Sequence, residues 1–244
     1  MIETIHIHET TSTNDLLNQL MREKSLEEGS MVYTDFQTLG RGVSNNVWES
    51  EKGENLLCSI LLKPSFIPIK QQFIISQVVS LALTDFLLPY DTEFTIKWPN
   101  DIYWKDNKIG GILIENNLEN GLLASCIIGI GLNINQKHFY SSAPNPISLI
   151  QITNTFHPIK EIATSIRNAI FERYIHLLKG KTKELQQTYT DRLYRSKGLF
   201  RFQDKDGIFV ASIFQVTPDG YLELTKENGD RQRYAFKEVS FIIP

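Results

Sequence analysis

From Thr4 to His8 apolar and polar residues alternate, the period of a half-buried strand. The TSTND that follows offers hydroxyl and amide N-caps for a short helix carrying Leu16, Leu17, Leu20 and Met21 on one face. Met31 to Gln37 and Asn55 to Leu62 read as strands on either side of a polar, glycine-bearing loop, Thr38 to Val47. An apolar helix of about 18 residues begins near Ile69. Closely spaced strands follow, one ending in KWPND, then a short YW run, KIGGILIE and LLASCIIGIGLNIN, punctuated by the turn signals PND, KDN and NLENG.

Beyond a proline-containing loop, apolar residues recur at Ile162, Ile166, Ile170, Tyr174 and Leu177, the stripe of a helix over Glu161 to Leu178. Thr182 to Tyr194 is a second helix candidate. From Gly198 the pattern changes to short alternating strands separated by DKDG, TPDG and KENG, which predicts a small antiparallel barrel of roughly 45 residues. The predicted fold is therefore α+β, a mixed sheet flanked by helices over residues 1–197, with a separate β module over residues 198–244.

The 244 residues carry a formal charge of −3, from 25 Lys+Arg against 28 Asp+Glu, and no basic run interrupts that balance. Duplex binding through phosphate neutralisation leaves no footprint here. The amino terminus lacks a basic leader, and the most apolar stretch, Phe73 to Leu88, is broken by Ser76, Gln77, Ser80, Thr84 and Asp85, so neither secretion nor membrane spanning is expected. Cys58 and Cys126 stand singly in strand-like runs, with no CxxC, which fits a reducing cytoplasm. The histidines at 6, 8, 138, 157 and 176 are scattered, and although His6 and His8 share a strand face, they read as structural or solvated.

Besides the helix start at Ser12 and Thr13, which reads more simply as capping, three segments carry candidate chemistry. In QTLGRGVSNNVWES, Gly40 and Gly42 flank Arg41, glycines that let backbone amides approach a ligand beside a forked cation for carboxylate or phosphate oxygens. The same string also reads as a surface loop anchored by Trp48. In IKWPNDIYWKDNKIGG, a hairpin would return Asp101 and Lys108 to one end of the sheet, a carboxylate suited to Mg²⁺ beside an ammonium suited to phosphate, or else simply a good turn and a solvated lysine. In IIGIGLNIN, Gly129 and Gly131 interrupt a β-branched strand, as happens where something packs on its backbone, and Asn133 shares their face. No P-loop or dinucleotide fingerprint is present, and with neither a Ser-His-Asp or Cys-His arrangement nor GxSxG, covalent catalysis is disfavoured.

Taken in order, STN, Q-x-x-GRG with its following Trp, KWPND-x₆-K-x-GG and GxGxN resemble biotin protein ligases, over about Thr10 to Asn135. The resemblance implies a fold similar to class II aminoacyl-tRNA synthetase cores with an SH3-like C-terminal domain. It is to the short form, without the N-terminal DNA-binding domain that makes some members repressors. It implies an ATP-dependent ligase that forms biotinyl-5′-adenylate and passes biotin to a lysine of a biotin carboxyl carrier protein. ATP and Mg²⁺ would serve as substrate and activator, without a tightly bound prosthetic group, DNA or membrane partner, in a monomer or weak homodimer.

Carried over by position, Ser12, Thr13, Asn14 and Gln37 would border biotin, with Gly40, Arg41, Gly42 and Val43 as its binding loop. Lys108 would contact the biotin carboxylate and then the adenylate phosphate, and Trp48 would pack on the ligand's rings. Asn100, Asp101 and Asn133 would lie on the nucleotide side, Asp101 beside Mg²⁺, while Gly111, Gly129 and Gly131 would leave room for ligand at the sheet. Arg41, Asp101 and Lys108 would be the catalytic set. One departure stands out: Val43, Ser44, Asn45, Asn46 and Val47 replace the further arginines many bacterial members carry, leaving fewer charges to retain the adenylate. A lipoate or octanoate ligase and a non-catalytic biotin-sensing module are the rival readings.

Overall fold

The computed structural model describes residues 2–43, 46–140 and 145–243. Twelve strands and five α-helices make up the described chain. Seven strands form one sheet, β1 (Thr4–Thr10), β2 (Met31–Gln37), β3 (Leu56–Leu62), β4 (Phe94–Lys97), β5 (Asp101–Trp104), β6 (Asn107–Glu119) and β7 (Leu122–Leu132), in the order β1-β2-β3-β7-β6-β5-β4. β1 and β2 are parallel because α1 (Thr13–Glu23) makes the crossover between them; every other neighbouring pair is antiparallel.

β3 is buried at every position, so its sequence runs almost continuously apolar instead of alternating. On one face, Leu56, Cys58, Ile60 and Leu62 pack with Ile128, Ile130 and Leu132 beneath α2 (Phe73–Leu87) and α4 (Ile159–Leu178). On the other, Leu17, Leu26, Val32, Leu61 and Ile127 form a smaller cluster under α1. That second face is covered only in part. Where the cover stops, Gly129, Gly131, Gly111 and Leu113 floor an open region.

The expected long helix divides into a 3-10 turn (Ile69–Gln71) and α2, because Gln72 caps the turn before the helical run begins. α3 (Leu149–Thr153), opened by a Ser148–Gln151 capping box, lies in the stretch read as a plain loop. α5 (Thr182–Asp191) leads to the second sheet, formed by β8 (Phe200–Asp204), β9 (Gly207–Val216), β10 (Leu222–Lys226), β11 (Arg231–Tyr234) and β12 (Ser240–Phe241). Its turns use Gly207, Gly220 and Gly229 at positive φ, as DKDG, TPDG and KENG predict. The order is β11-β10-β9-β8-β12, antiparallel throughout. No ladder joins β11 to β12 among the described residues, so the expected barrel is an open five-stranded sheet.

This sheet is fastened to the first by Trp98, whose Nε1 donates to the Gly220 carbonyl at 2.9 Å, and by Arg195, which donates to the Ile242 carbonyl at 2.8 Å. Among the described residues no helix is long and apolar enough to cross a membrane.

Candidate active site

A cleft of about 490 Å³ opens over the glycine-rich end of the first sheet. Ser12, Thr13 and Asn14 enter it at the start of α1, and Gln37 enters at the end of β2. The Gln37 carbonyl oxygen accepts from the Thr13 amide at 2.7 Å and from its hydroxyl at 3.1 Å. Ser59 donates towards Asn14 Oδ1 at 2.6 Å and lies 2.7 Å from the Thr13 hydroxyl. This polar wall is buried and rigidly bonded. Ser12 stands at the N-cap without making a side-chain cap, so the capping role its sequence position predicts is not used by its hydroxyl.

The GRG loop folds back on itself. Trp48 donates its amide to Gly40 at 3.0 Å, Gly42 donates to Asn46 at 2.6 Å, and Arg41 bridges to Val47; Ser44 and Asn45 lie outside the described residues. The turn lays the indole of Trp48 on the sheet. A Cβ at Gly131 would stand 2.5 Å from its Cε2, and one at Gly111 would stand 3.1 Å from its Cζ3. A Cβ at Gly129 would stand 2.5 Å from Asn14 Oδ1. Trp48 and Asn14 thus occupy the space directly over these glycines, while all three glycines still line the cleft. The indole N–H is buried without a partner.

Lys108 and Asp101 do return to one end of the sheet, with Nζ 2.7 Å from the carboxylate. Asp101 opens β5 instead of closing β4, because Trp98, Pro99 and Asn100 form the turn between them. The Asn100 side chain donates to Ile112 at 2.9 Å and its carbonyl accepts from the Ile112 amide at 2.9 Å, which ties that turn to β6. Lys108 lies 5.6 Å from the Trp48 ring centroid. Arg41 is held by Asp15 at 2.6 Å and Glu115 at 3.0 Å. Arg41 and Lys108 therefore line one cleft, each already facing a carboxylate.

Gly40 and Asn133 do not line it. Gly40 approaches the Trp48 backbone, and Asn133 donates to the Ile147 carbonyl at 3.0 Å, fixing the segment whose backbone flanks Lys108. Conversely, Lys97, Tyr103, Phe236 and Phe241 line the cleft without having been singled out. Lys97 pairs across the ladder with Asp101 and sits 5.2 Å from the Tyr103 ring and 5.4 Å from Phe241. Burial pulls its ammonium below the ordinary lysine range, the Asp101 carboxylate opposing and Lys108 and Arg195 adding to the shift.

Asp101 is the one acidic side chain lining the cleft among the described residues. Engaged by Lys108 and paired with Lys97, it is a poor ligand for a further cation. The residues present do not make a Mg²⁺ site of their own.

A family model described as the biotin/lipoate A/B protein ligase family matches residues 7–133. Over 246 aligned residues the chain is 31% identical to the bifunctional ligase/repressor BirA of Bacillus subtilis, covering 93% of this chain and 71% of that one. It is 36% identical to the chloroplastic biotin–protein ligase 1 of Arabidopsis thaliana, covering 87% of this chain and 59% of that one. Among solved structures, the biotin protein ligase of Aquifex aeolicus in complex with biotin and ATP superposes with a TM-score of 0.80 at 23% identity over 100% of both chains. The Leishmania major biotin protein ligase with biotinyl-5-AMP gives 0.65 at 21% identity, covering 96% of this chain and 98% of that one.

Proposed function

The chain belongs to the biotin/lipoate A/B protein ligase family, and from that premise we propose that its cleft activates biotin with ATP and transfers it to a lysine of a carrier protein. A carboxylate oxygen of biotin attacks the α-phosphorus of ATP, the bond to the bridging oxygen breaks, and pyrophosphate leaves. Biotinyl-5′-adenylate remains. The carrier amine then attacks the carbonyl carbon, AMP departs with the C–O electron pair, and the amine's proton is released as the amide forms.

The first step brings two anions together against a repulsion of about 4 kcal/mol at 4 Å for an effective dielectric near 20. Arg41, Lys97 and Lys108, all lining one cleft, offset it. Ser12, Thr13, Asn14 and Gln37 border the ureido rings, and Trp48 offers them its face. Asn100 and Asn133 act through backbone, Asn100 by fixing the turn before Asp101 and Asn133 by fixing the chain beside Lys108. Residues 1–197 supply the catalytic part. Residues 198–244 close one side of the cleft with Phe236 and Phe241. We assign the enzyme to the cytoplasm, in keeping with two free, buried cysteines, and take its acceptor to be a biotin carboxyl carrier domain.

The observation that carries this reading is the convergence of Arg41 and Lys108 on a single cleft. Pyrophosphate release from ATP, followed by transfer to a purified carrier domain, tests it, with lipoate as the control acid. Release dependent on biotin and not on lipoate is expected. Release without biotin dependence, or an equal response to lipoate, overturns it.

A further inference from the structure

His6 and His8 project from the same side of β1, and Asp35 stands on the neighbouring strand β2. His6 Nε2 lies 2.7 Å from one carboxylate oxygen of Asp35 and His8 Nδ1 lies 2.8 Å from the other. One ligand atom from each residue falls within 4.8 Å of the others. The rings are oriented: His6 stacks on Tyr33 at 4.6 Å and meets His8 edge-on at 5.3 Å. Beside the trio lies a second hollow of about 580 Å³, lined by His6 and Asp35 together with Tyr33, Asn55 and Lys160.

We infer that His6, His8 and Asp35 form a binding site for a divalent first-row transition ion, of which Zn²⁺ is the natural occupant by donor chemistry. Two imidazoles and one carboxylate suit Zn²⁺, Ni²⁺ or Cu²⁺ and not the oxygen-seeking Mg²⁺ or Ca²⁺. Ligand bonds of about 2.1 Å place tetrahedral donors about 3.4 Å apart, so the two histidine–aspartate contacts open by about 0.6–0.7 Å and the wider donor separations, up to 4.8 Å, close in. The ring edges are exposed, and small rotations suffice. The adjoining hollow leaves room for the remaining coordination position, to be filled by water or an anion. Lys160 lines the same hollow and opposes a cation, which sets the expected affinity at micromolar instead of nanomolar.

Such an ion would tie β1 to β2, the strands that lead directly to Ser12–Asn14 and to Gln37 in the cleft. The site lies outside the catalytic cleft, and the inference stands without the assigned activity.

The test is titration of the tag-free full chain with Zn²⁺ by calorimetry, with Co²⁺ absorption as the spectroscopic readout. One ion per chain at micromolar Kd is expected, with tetrahedral Co²⁺ bands and a raised Tm. His8→Ala and Asp35→Asn should each weaken binding by about tenfold or more. The triple variant with His6→Ala should lose it while keeping the metal-free Tm and biotin-dependent pyrophosphate release, since all three side chains are partly or wholly exposed. Absence of binding at about 100 µM Zn²⁺, or equal binding by the triple variant, overturns the inference.

Discussion

Replacing Gly131 with alanine separates the role of the indole from that of the fold. The added Cβ would lie 2.5 Å from Trp48 Cε2 and 2.8 Å from both Cζ2 and Nε1. Carbon atoms rest comfortably at about 3.5 Å, so the ring must withdraw by about 1 Å. The backbone of β7 has no such difficulty, because Gly131 pairs with Leu57 and Gly111 in ordinary strand geometry. Removing a glycine from the unfolded chain even contributes about 0.4–1 kcal/mol of stability. Tm is therefore expected to hold or rise slightly while catalysis falls. A displacement of about 1 Å in a positioned group costs about a hundredfold in rate, or roughly 2.7 kcal/mol. Biotin-dependent pyrophosphate release, read as kcat/KM, measures the loss. Gly111→Ala, whose closest approach to the ring is 3.1 Å, should lose less. A cycle with Trp48→Ala identifies the cause, since once the indole is gone the alanine at 131 should cost nothing more. Parental kcat/KM in Gly131→Ala, or a further loss in the Trp48→Ala background, refutes the reasoning.

Lys108→Ala removes a cation from the cleft and leaves Lys97 alone to face the Asp101 carboxylate, so the barrier to adenylate formation should rise by about 2–4 kcal/mol, measured as single-turnover pyrophosphate release. Asp15→Asn loosens a solvent-exposed hold on Arg41; because such pairs contribute about 0–1 kcal/mol, biotin affinity by calorimetry should tighten by no more than about fivefold. Asp85 receives Arg173 at 2.8 Å and Arg192, pinning α2 to α4 and to the residue after α5. Burial pushes its pKa up, but the two guanidinium partners outweigh it and hold the carboxyl below the usual range. The unfolded chain thus takes up the proton first, so this contribution is complete above about pH 5 and fades as pH falls through the folded pKa. Asp85→Asn should cost about 2 kcal/mol at pH 7, roughly 5 °C in Tm, with the difference shrinking towards pH 3. An equal difference at both pH values would count against it.

The elements with a strong period were legible from the chain alone, as were the strand-end motifs that meet in the cleft. Segments such as KWPND and GIGLN are short, and their residue types restrict the backbone enough for strand and turn to be placed locally. Lys97 had a readable signal that went unused, since the WPN turn just before Asp101 sets the two residues opposite each other. Phe236 and Phe241 had none. Their place in the cleft depends on how the second sheet docks, through contacts such as Trp98 to Gly220 that no local pattern encodes. The glycines of β6 and β7 were correctly read as sites of close approach, but whether protein or ligand fills a gap is a tertiary question. The same holds for His6 and His8, whose shared face was visible while the partner carboxylate on β2 was not.

The two principal cations of the cleft are held with different firmness, and this assigns them different parts in catalysis. Arg41 is 43% exposed, and its partners Asp15 and Glu115 are 55% and 35% exposed, so water screens both contacts and exchange for an anionic ligand is cheap. Lys108 and Asp101 are 28% and 17% exposed, where separating the charges costs more. An ammonium has three donors, and Asp101 engages Lys108 at a single contact, so Lys108 can donate to a carboxylate or phosphate oxygen without giving up its partner. The lysine is thus a fixed charge in place before substrate arrives, whereas the arginine, on a loop that closes on itself, exchanges carboxylate partners for the ligand. A substitution at Lys108 therefore acts on the chemical step, and one at Arg41 acts both on that step and on how long the adenylate is retained, in a loop whose neighbours Val43, Asn46 and Val47 bring no second charge.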